Sequence, residues 1–183
     1  MIAYAITDPA TLHFNTLVSD LERFSNNASM IVYRDKENLQ YAECSRRFVY
    51  EAKGYDFEKV LLHSDYLLAK ALEADGVHLT SKQFSNIKKA KMLGLFVVVS
   101  THSVIEAQMA EALGADMITV SPVFETPGKG SPIGIEGLKR VIFDVNLPVI
   151  ALGGIVSKDH INMCEDTGAK GFASIRYFAS TLL

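Results

Sequence analysis

The chain has 183 residues, of which 49% are hydrophobic and 21% are charged, and its formal net charge is −3 at pH 7. This length and apolar content suffice for one domain with a sizeable core, which we predict to span residues 1–183. The small negative charge argues against a nucleic-acid partner, and no apolar stretch is long enough to cross a bilayer. With only two cysteines, at spacings unlike those of metal sites, we expect a soluble cytoplasmic protein.

Short apolar runs alternate with amphipathic segments along the whole chain. The apolar runs predict eight strands, at residues 2–6, 29–33, 59–62, 76–79, 95–99 and 116–120 and within 147–155 and 170–176. The segments between them predict helices, the first of which includes Leu12, Leu17, Leu21 and Phe24. Asn38 and Ser157 are candidate N-caps of later helices. Eight strands that alternate with helices favour a compact closed (βα)₈ barrel over an open doubly wound sheet.

Polar residues at the ends of these strands are the candidates for function, because all strands of such a barrel end at one mouth. The cations placed there are Arg34, Lys36, Lys129 and Arg176. Gly153 and Gly154 follow the seventh strand, where bare backbone N–H groups can face an anion, and Ile175 and Arg176 form a second such edge. The pattern predicts an anionic ligand with one or more phosphates. The alternative, that the two glycines only make a tight turn, stays open.

Two histidines are candidates for proton transfer. His63 ends the third strand beside Ser64 and is the better candidate acid or base. His78 lies within an apolar strand, where a hydrogen-bonded core histidine is an equally good interpretation. Ser100 and His102 follow the fifth strand and are candidate caps of the next helix. No pair of carboxylates at adjacent strand ends predicts a metal site.

Six motifs, taken in their order and spacing, resemble those of the thiamine phosphate synthase/TenI family, whose members share a compact (βα)₈ barrel. The resemblance extends over nearly the whole chain. The motifs lie at Tyr4–Asp8, Tyr33–Lys36, Ala74–Leu79, Ser100–His102, Ser121–Lys129 and Ala151–Ile155.

The resemblance implies roles for most of the residues at the predicted mouth. In the synthase branch, a thiazole phosphate attacks a hydroxymethylpyrimidine diphosphate, which releases pyrophosphate and forms thiamine phosphate. By resemblance, Arg34, Lys36 and Ser100 contact the pyrimidine diphosphate, and Lys129 assists the reaction from the glycine-rich loop. The residues implied in binding the thiazole phosphate are Thr126, Gly153, Gly154, Ile175 and Arg176.

Several positions depart from the synthase pattern. The synthases carry an Asn-Asp pair where this chain has His63-Ser64, and a second Asp where it has Gln83, so both metal ligands of that branch are missing. Mg²⁺ is therefore expected only if synthase activity is retained, with Asp65 as a substitute ligand. The departures favour the TenI-like branch, whose thiazole tautomerases move a proton without a metal. Their catalytic histidine corresponds to Pro122, so His63 or His78 would have to replace it.

We therefore expect a thiamine-biosynthesis enzyme of the TenI-like type that binds small phosphorylated thiazole or pyrimidine ligands. One alternative is a divergent, Mg²⁺-dependent thiamine phosphate synthase. Another is a catalytically silent protein that binds thiamine phosphates. The sequence leaves the oligomeric state open, a homodimer included.

Overall fold

The strands of the computed structural model form a closed barrel. The structure describes residues 1–179, and the last four residues of the predicted domain range lie outside this part. The eight strands of the described chain are parallel, and the barrel closes because β1 pairs with β8 as well as with β2. The predicted (βα)₈ barrel is confirmed. The strands are β1 Ile2–Ile6, β2 Met30–Tyr33, β3 Lys59–His63, β4 Gly76–Leu79, β5 Phe96–Thr101, β6 Met117–Val120, β7 Val149–Leu152 and β8 Gly171–Ser174.

A helix follows each of the first seven strands within residues 1–179. None of these helices is long and apolar enough to cross a membrane. Short 3₁₀ helices at Phe84–Asn86 and Arg176–Phe178 complete the described elements. The α-helices are α1 Leu17–Ser25, α2 Tyr41–Ala52, α3 Tyr66–Ala71, α4 Ile87–Met92, α5 Val104–Ala112, α6 Gly134–Asp144 and α7 Lys158–Glu165.

The starts of the first two helices differ from the predictions. Helix α1 begins at Leu17, so the prediction that Leu12 lies in it is wrong; Leu12 is buried in the preceding loop instead. Asn38 does not cap α2, because its Oδ1 accepts from the Gln40 N–H at 2.8 Å in a turn ahead of the helix. Apolar periodicity locates a helix, but it does not show whether a nearby Asn side chain caps that helix or closes a turn before it.

The caps of α5 and α7 are serines. Ser103 caps α5 by accepting from the Glu106 N–H at 3.2 Å, so neither Ser100 nor His102 is the cap. Ser157 caps α7 through the N–H of His160, as predicted. Ser100 is thereby left free to make other contacts.

The strand side chains alternate between the barrel interior and the layer beneath the helices. The interior cluster consists of Tyr4, Ile6, Met30, Val32, Leu61, Val98, Met117, Ile150 and Ala173. Residues two positions further along a strand face the same side. His63 follows Leu61 in this way, Ser100 follows Val98, and Thr119 follows Met117. The alternation therefore places these three polar side chains inside the mouth.

Candidate active site at the barrel mouth

His63 is held firmly at the end of β3. Its backbone N–H donates to the Tyr41 hydroxyl at 3.1 Å, and the one proton of that hydroxyl is shared between the carbonyls of Tyr33 at 3.0 Å and His63 at 3.2 Å. The ring Nδ1 lies 3.1 Å from Ser64 Oγ, whereas Nε2 has no hydrogen-bond partner within residues 1–179. Ser64 has φ +69°, a left-handed conformation that is uncommon for a residue with a side chain. The strand end thus presents a half-buried imidazole with one free nitrogen.

Positive charges surround this imidazole. Burial, and then the charges of Arg34 and Lys36, lower the pKa of His63 from 6.5 to about 4. The ring is therefore neutral at pH 7 and able to accept a proton. The charge of Arg34 is the first cause that lowers the pKa of Lys36, followed by burial and the charges of Lys129 and Lys82.

Lys82 was missed by the sequence analysis. It lies three positions past the end of β4, and it belongs to a cluster of four cations with Arg34, Lys36 and Lys129. None of the four forms a salt bridge within the described chain. Lys36 was identified because it lies just after a strand, and the same criterion would have found Lys82. Clustered cations without acidic partners favour an anionic ligand.

The positions implied as metal ligands do not fit a divalent cation. Asp65 caps α3 by accepting from the Leu68 N–H at 2.8 Å. Gln83 Oε1 accepts from the Thr80 N–H at 3.0 Å, and its Nε2 donates to the Ser64 carbonyl at 3.1 Å. No group of three His, Cys, Asp or Glu residues in the described chain could hold a metal ion. Carboxylate oxygens are the usual anchors of Mg²⁺, and of the implied positions only Asp65 carries a carboxylate, with one oxygen engaged as a helix cap.

His78 lies deeper in the barrel interior than His63. It is 3% exposed, with Nδ1 2.9 Å from the Tyr4 hydroxyl and Nε2 2.9 Å from Ser100 Oγ. Burial, followed by the charges of His63 and Arg34, lowers the pKa of His78 to about 3. With both ring nitrogens bonded, His78 matches the interpretation as a hydrogen-bonded core histidine. The sequence did not identify Tyr4 as the partner of His78. The only signal was that Tyr4 occupies an inward-facing position of its strand.

The turns after β7 and β8 form a cradle of backbone N–H groups. Gly153 and Gly154 have φ +98° and +71°, which glycine adopts without strain. The N–H groups of Gly154, Ile175 and Arg176 donate to no acceptor within residues 1–179. Ser174 Oγ donates to the Ile155 carbonyl at 2.8 Å, which joins the two turns. Free N–H groups at this end of a barrel suit a phosphate.

The loop after β6 covers the glycine pair. Its N–H groups at Val123 and Phe124 donate to the carbonyls of Leu152 and Gly153 at 2.9 and 3.0 Å. A Cβ atom on Gly153 would lie 3.3 Å from Thr126 Oγ1. The loop therefore brings Thr126 to the cradle.

The predicted site residues thus fall into two groups at one mouth. The roles of these residues stay predictions. One group lies at the strands β2 to β5 and contains Arg34, Lys36, His63, His78 and Ser100. The other lies at the cradle and contains Thr126, Gly153, Gly154, Ile175 and Arg176. Lys129 belongs to the loop after β6, and its charge acts on the first group through Lys36.

The half-buried His63 and the buried His78 should make the fold sensitive to acid. Their pKa values of about 4 and about 3 lie below the 6.5 of the unfolded chain, so between pH 7 and pH 5 only the unfolded state takes up these protons. Stability should therefore fall as the pH falls, by about 2 kcal/mol for each histidine. Urea unfolding at both pH values measures this difference. His78→Gln should show a smaller pH dependence, and an unchanged dependence would contradict the assignment.

Comparison with known proteins shows which family the chain resembles. The family described as thiamine monophosphate synthase (TMP-TENI) matches residues 3–178. A putative thiamine-phosphate synthase 2 of Aquifex aeolicus is 36% identical over 183 residues, covering 96% of each chain. A thiamine-phosphate synthase of Syntrophomonas wolfei is 32% identical, covering 94% of this chain and 85% of that protein. The structure of a thiamine phosphate pyrophosphorylase from Pyrococcus furiosus superposes with a TM-score of 0.82 at 31% identity, covering 95% of this chain and 85% of that one.

Proposed function

The chain belongs to the thiamine monophosphate synthase family, and on that premise we propose that it binds a thiazole carboxylate phosphate at the barrel mouth and aromatises it by proton transfer. This is the activity of a TenI-like thiazole tautomerase. The observation that carries the proposal is His63, a neutral imidazole with a free ring nitrogen, at a mouth where Asp65 and Gln83 are engaged in hydrogen bonds within the protein.

The cradle after β7 and β8 is the proposed site of the phosphate. The free N–H groups of Gly154, Ile175 and Arg176 supply donors, and the Arg176 guanidinium supplies a positive charge. Thr126 adds a hydroxyl from the covering loop. A phosphate fixed at this point holds the thiazole ring toward the opposite strands, where His63 lies.

His63 is the proposed proton carrier. Its neutral ring accepts a proton from one ring position of the substrate and returns it to the position that completes the aromatic system. One proton is removed from the substrate and one is returned to it, so the step needs no other reactant, and exchange of the imidazole proton with solvent before its return would introduce deuterium in D₂O. Arg34 and Lys36 stabilise the negative charge that develops on the substrate while His63 holds the proton.

Synthase activity is the second candidate, and two observations favour it. The relatives at 36% and 32% identity are named as thiamine-phosphate synthases. The cluster of Arg34, Lys36, Lys82 and Lys129 also has charge enough for a diphosphate.

One assay separates the two activities. The protein is incubated with pyrimidine diphosphate and thiazole phosphate, with Mg²⁺ and then with EDTA, and separately with thiazole carboxylate phosphate in D₂O. Aromatisation with deuterium incorporation in EDTA supports the tautomerase. Mg²⁺-dependent thiamine phosphate would assign the synthase instead. Binding of the thiazole phosphate without either product would identify a silent binding protein.

Removing the positive charge of Arg176 should weaken ligand binding. Arg176→Ala loses a charge-assisted contact to the phosphate, so the Kd for thiazole phosphate should rise about tenfold or more in calorimetry. Lys170→Ala is the matched control, because Lys170 precedes β8 at the other end of the barrel and its loss changes the net charge equally. Equal affinities of the two variants would remove Arg176 from the site.

A further inference from the structure

A hydrogen-bonded row of three side chains crosses the interior below the mouth. The Tyr4 hydroxyl, the His78 ring and the Ser100 hydroxyl are joined by two contacts of 2.9 Å each. Tyr4 is fully buried among apolar side chains, His78 is 3% exposed, and Ser100 is half-buried at the mouth. The row therefore connects a closed interior to a surface that a ligand reaches.

The direction of the hydrogen bonds in this row follows from the donors available. A neutral imidazole has one N–H and one acceptor nitrogen, so two arrangements exist. If Nδ1 carried the proton, it would donate to the Tyr4 oxygen, and the Tyr4 O–H would need another acceptor. Within residues 1–179 this hydroxyl has no partner besides His78. A buried donor without an acceptor is costly, so Tyr4 donates to Nδ1 and the proton of His78 resides on Nε2.

This polarity decides what Ser100 offers to a ligand. The Nε2–H of His78 occupies the Ser100 oxygen as an acceptor, which leaves the serine O–H free to donate. Ser100 is therefore a hydrogen-bond donor toward the mouth. A ligand group that accepts hydrogen bonds is suited to this position, and one that only donates is not.

The position of Ser100 identifies the ligand group. In a closed barrel of eight strands, β3 and β4 lie across the mouth from the cradle after β7 and β8, and β5, which carries Ser100, is the next strand after β4. A substrate with its phosphate in the cradle therefore extends toward the side of the mouth where His63 and Ser100 lie. Thr119 pairs with Ser100 across β5 and β6, and its buried hydroxyl has no partner in the described chain. The Ser100 hydroxyl on this side matches an anionic acceptor such as a carboxylate, and the buried Thr119 hydroxyl beneath it adds a donor that is unpaired within residues 1–179.

We propose that Tyr4 and His78 are positioning residues that fix the Ser100 hydroxyl as a donor to the carboxylate of the substrate. The proposal rests on the proposed function for the identity of this substrate, a thiazole carboxylate phosphate. It makes Ser100 a specificity determinant, since a thiazole phosphate without the carboxylate lacks the group that Ser100 recognises.

The first test concerns the protein alone. In ¹⁵N-labelled protein at pH 7, the His78 side chain, assigned by its loss in His78→Gln, should show a protonated Nε2 and an unprotonated Nδ1. In Tyr4→Phe this preference should be lost, because Nδ1 no longer has a donor. A protonated Nδ1 in the unaltered protein would overturn the proposal. This result does not depend on what the protein binds, so it separates the proposal from the proposed function.

The second test is a double-mutant cycle on ligand affinity. Ser100→Ala should raise the Kd for thiazole carboxylate phosphate about tenfold or more, and Tyr4→Phe should raise it several-fold. If Tyr4 acts through Ser100, Tyr4→Phe has no further effect in the Ser100→Ala background. Neither change should affect the affinity for thiazole phosphate without the carboxylate.

Controls separate positioning from loss of structure. Tyr55→Phe also deletes a tyrosine hydroxyl, one that donates to the Val18 carbonyl at 2.8 Å on the outside of the barrel, and should leave both affinities unchanged. His78→Gln keeps an amide N–H close to the position of Nε2 and should retain more affinity than His78→Leu. Additive effects of Tyr4→Phe and Ser100→Ala, or equal losses for the two thiazoles, would overturn the proposal.

Discussion

His63→Gln should lower kcat for aromatisation of the thiazole carboxylate phosphate by about 10²- to 10⁴-fold, the usual contribution of general acid–base catalysis. Glutamine has about the size and hydrogen-bonding capacity of the neutral imidazole but cannot carry a proton between two positions. The Kd for the substrate should remain within about threefold, since Arg34, Lys36 and the cradle are unchanged. Single-turnover rates and calorimetry measure the two quantities separately.

The pH dependence gives a second observable for His63. Because its pKa is about 4, the unaltered enzyme should keep its proton-accepting form down to about pH 5 and lose activity as the pH falls through 4. His102→Gln is the matched control, because His102 is exposed, lies after β5 and contacts the Ser121 carbonyl through Nδ1 at 2.7 Å. A His63→Gln variant with more than a tenth of normal activity would show that another group moves the proton.

Gly154→Ala should lower both stability and affinity. Its φ of +71° is strained for alanine, and the new Cβ would lie 2.6 Å from the Glu125 carbonyl and 2.7 Å from Phe124 Cβ. The covering loop would have to move, and Thr126 with it. We expect a loss of about 2–4 kcal/mol in the free energy of unfolding, from backbone strain and overpacking together. The Kd for thiazole phosphate should rise at least about tenfold, because misplaced donors no longer fit the phosphate.

Gly94→Ala separates these two causes. Gly94 has φ +78°, but a Cβ atom there would have no neighbour within 4 Å. It follows α4, away from the mouth, so the change adds strain without moving the loop. We expect a loss of about 1–2 kcal/mol with normal affinity. If Gly154→Ala behaved in the same way, the close contact between the glycine pair and the loop would not matter for binding.

The sequence alone was sufficient for the fold and for most of the rim of the mouth, Lys82 excepted. Buried parallel strands have continuous apolar sequences, so each strand could be located from its own residues. Because active sites in this fold lie at the C-terminal ends of the strands, His63, Arg34 and the glycine pair could be chosen before any contact was known. Helix starts were less certain, as Leu12 and Asn38 show, because they depend on local hydrogen bonds rather than on periodicity.

The partners of these residues were decided by the tertiary structure. Tyr4 and His78 are 74 positions apart, and they meet because closure of the barrel and the register of its strands bring two inward-facing positions to one level. Asp65 has the chemistry of a metal ligand, but the start of α3 uses its carboxylate as a cap. Sequence specifies which side chains are available and which face each occupies; which atoms they contact is fixed by closure of the barrel, since that step sets distances between strands remote in the chain.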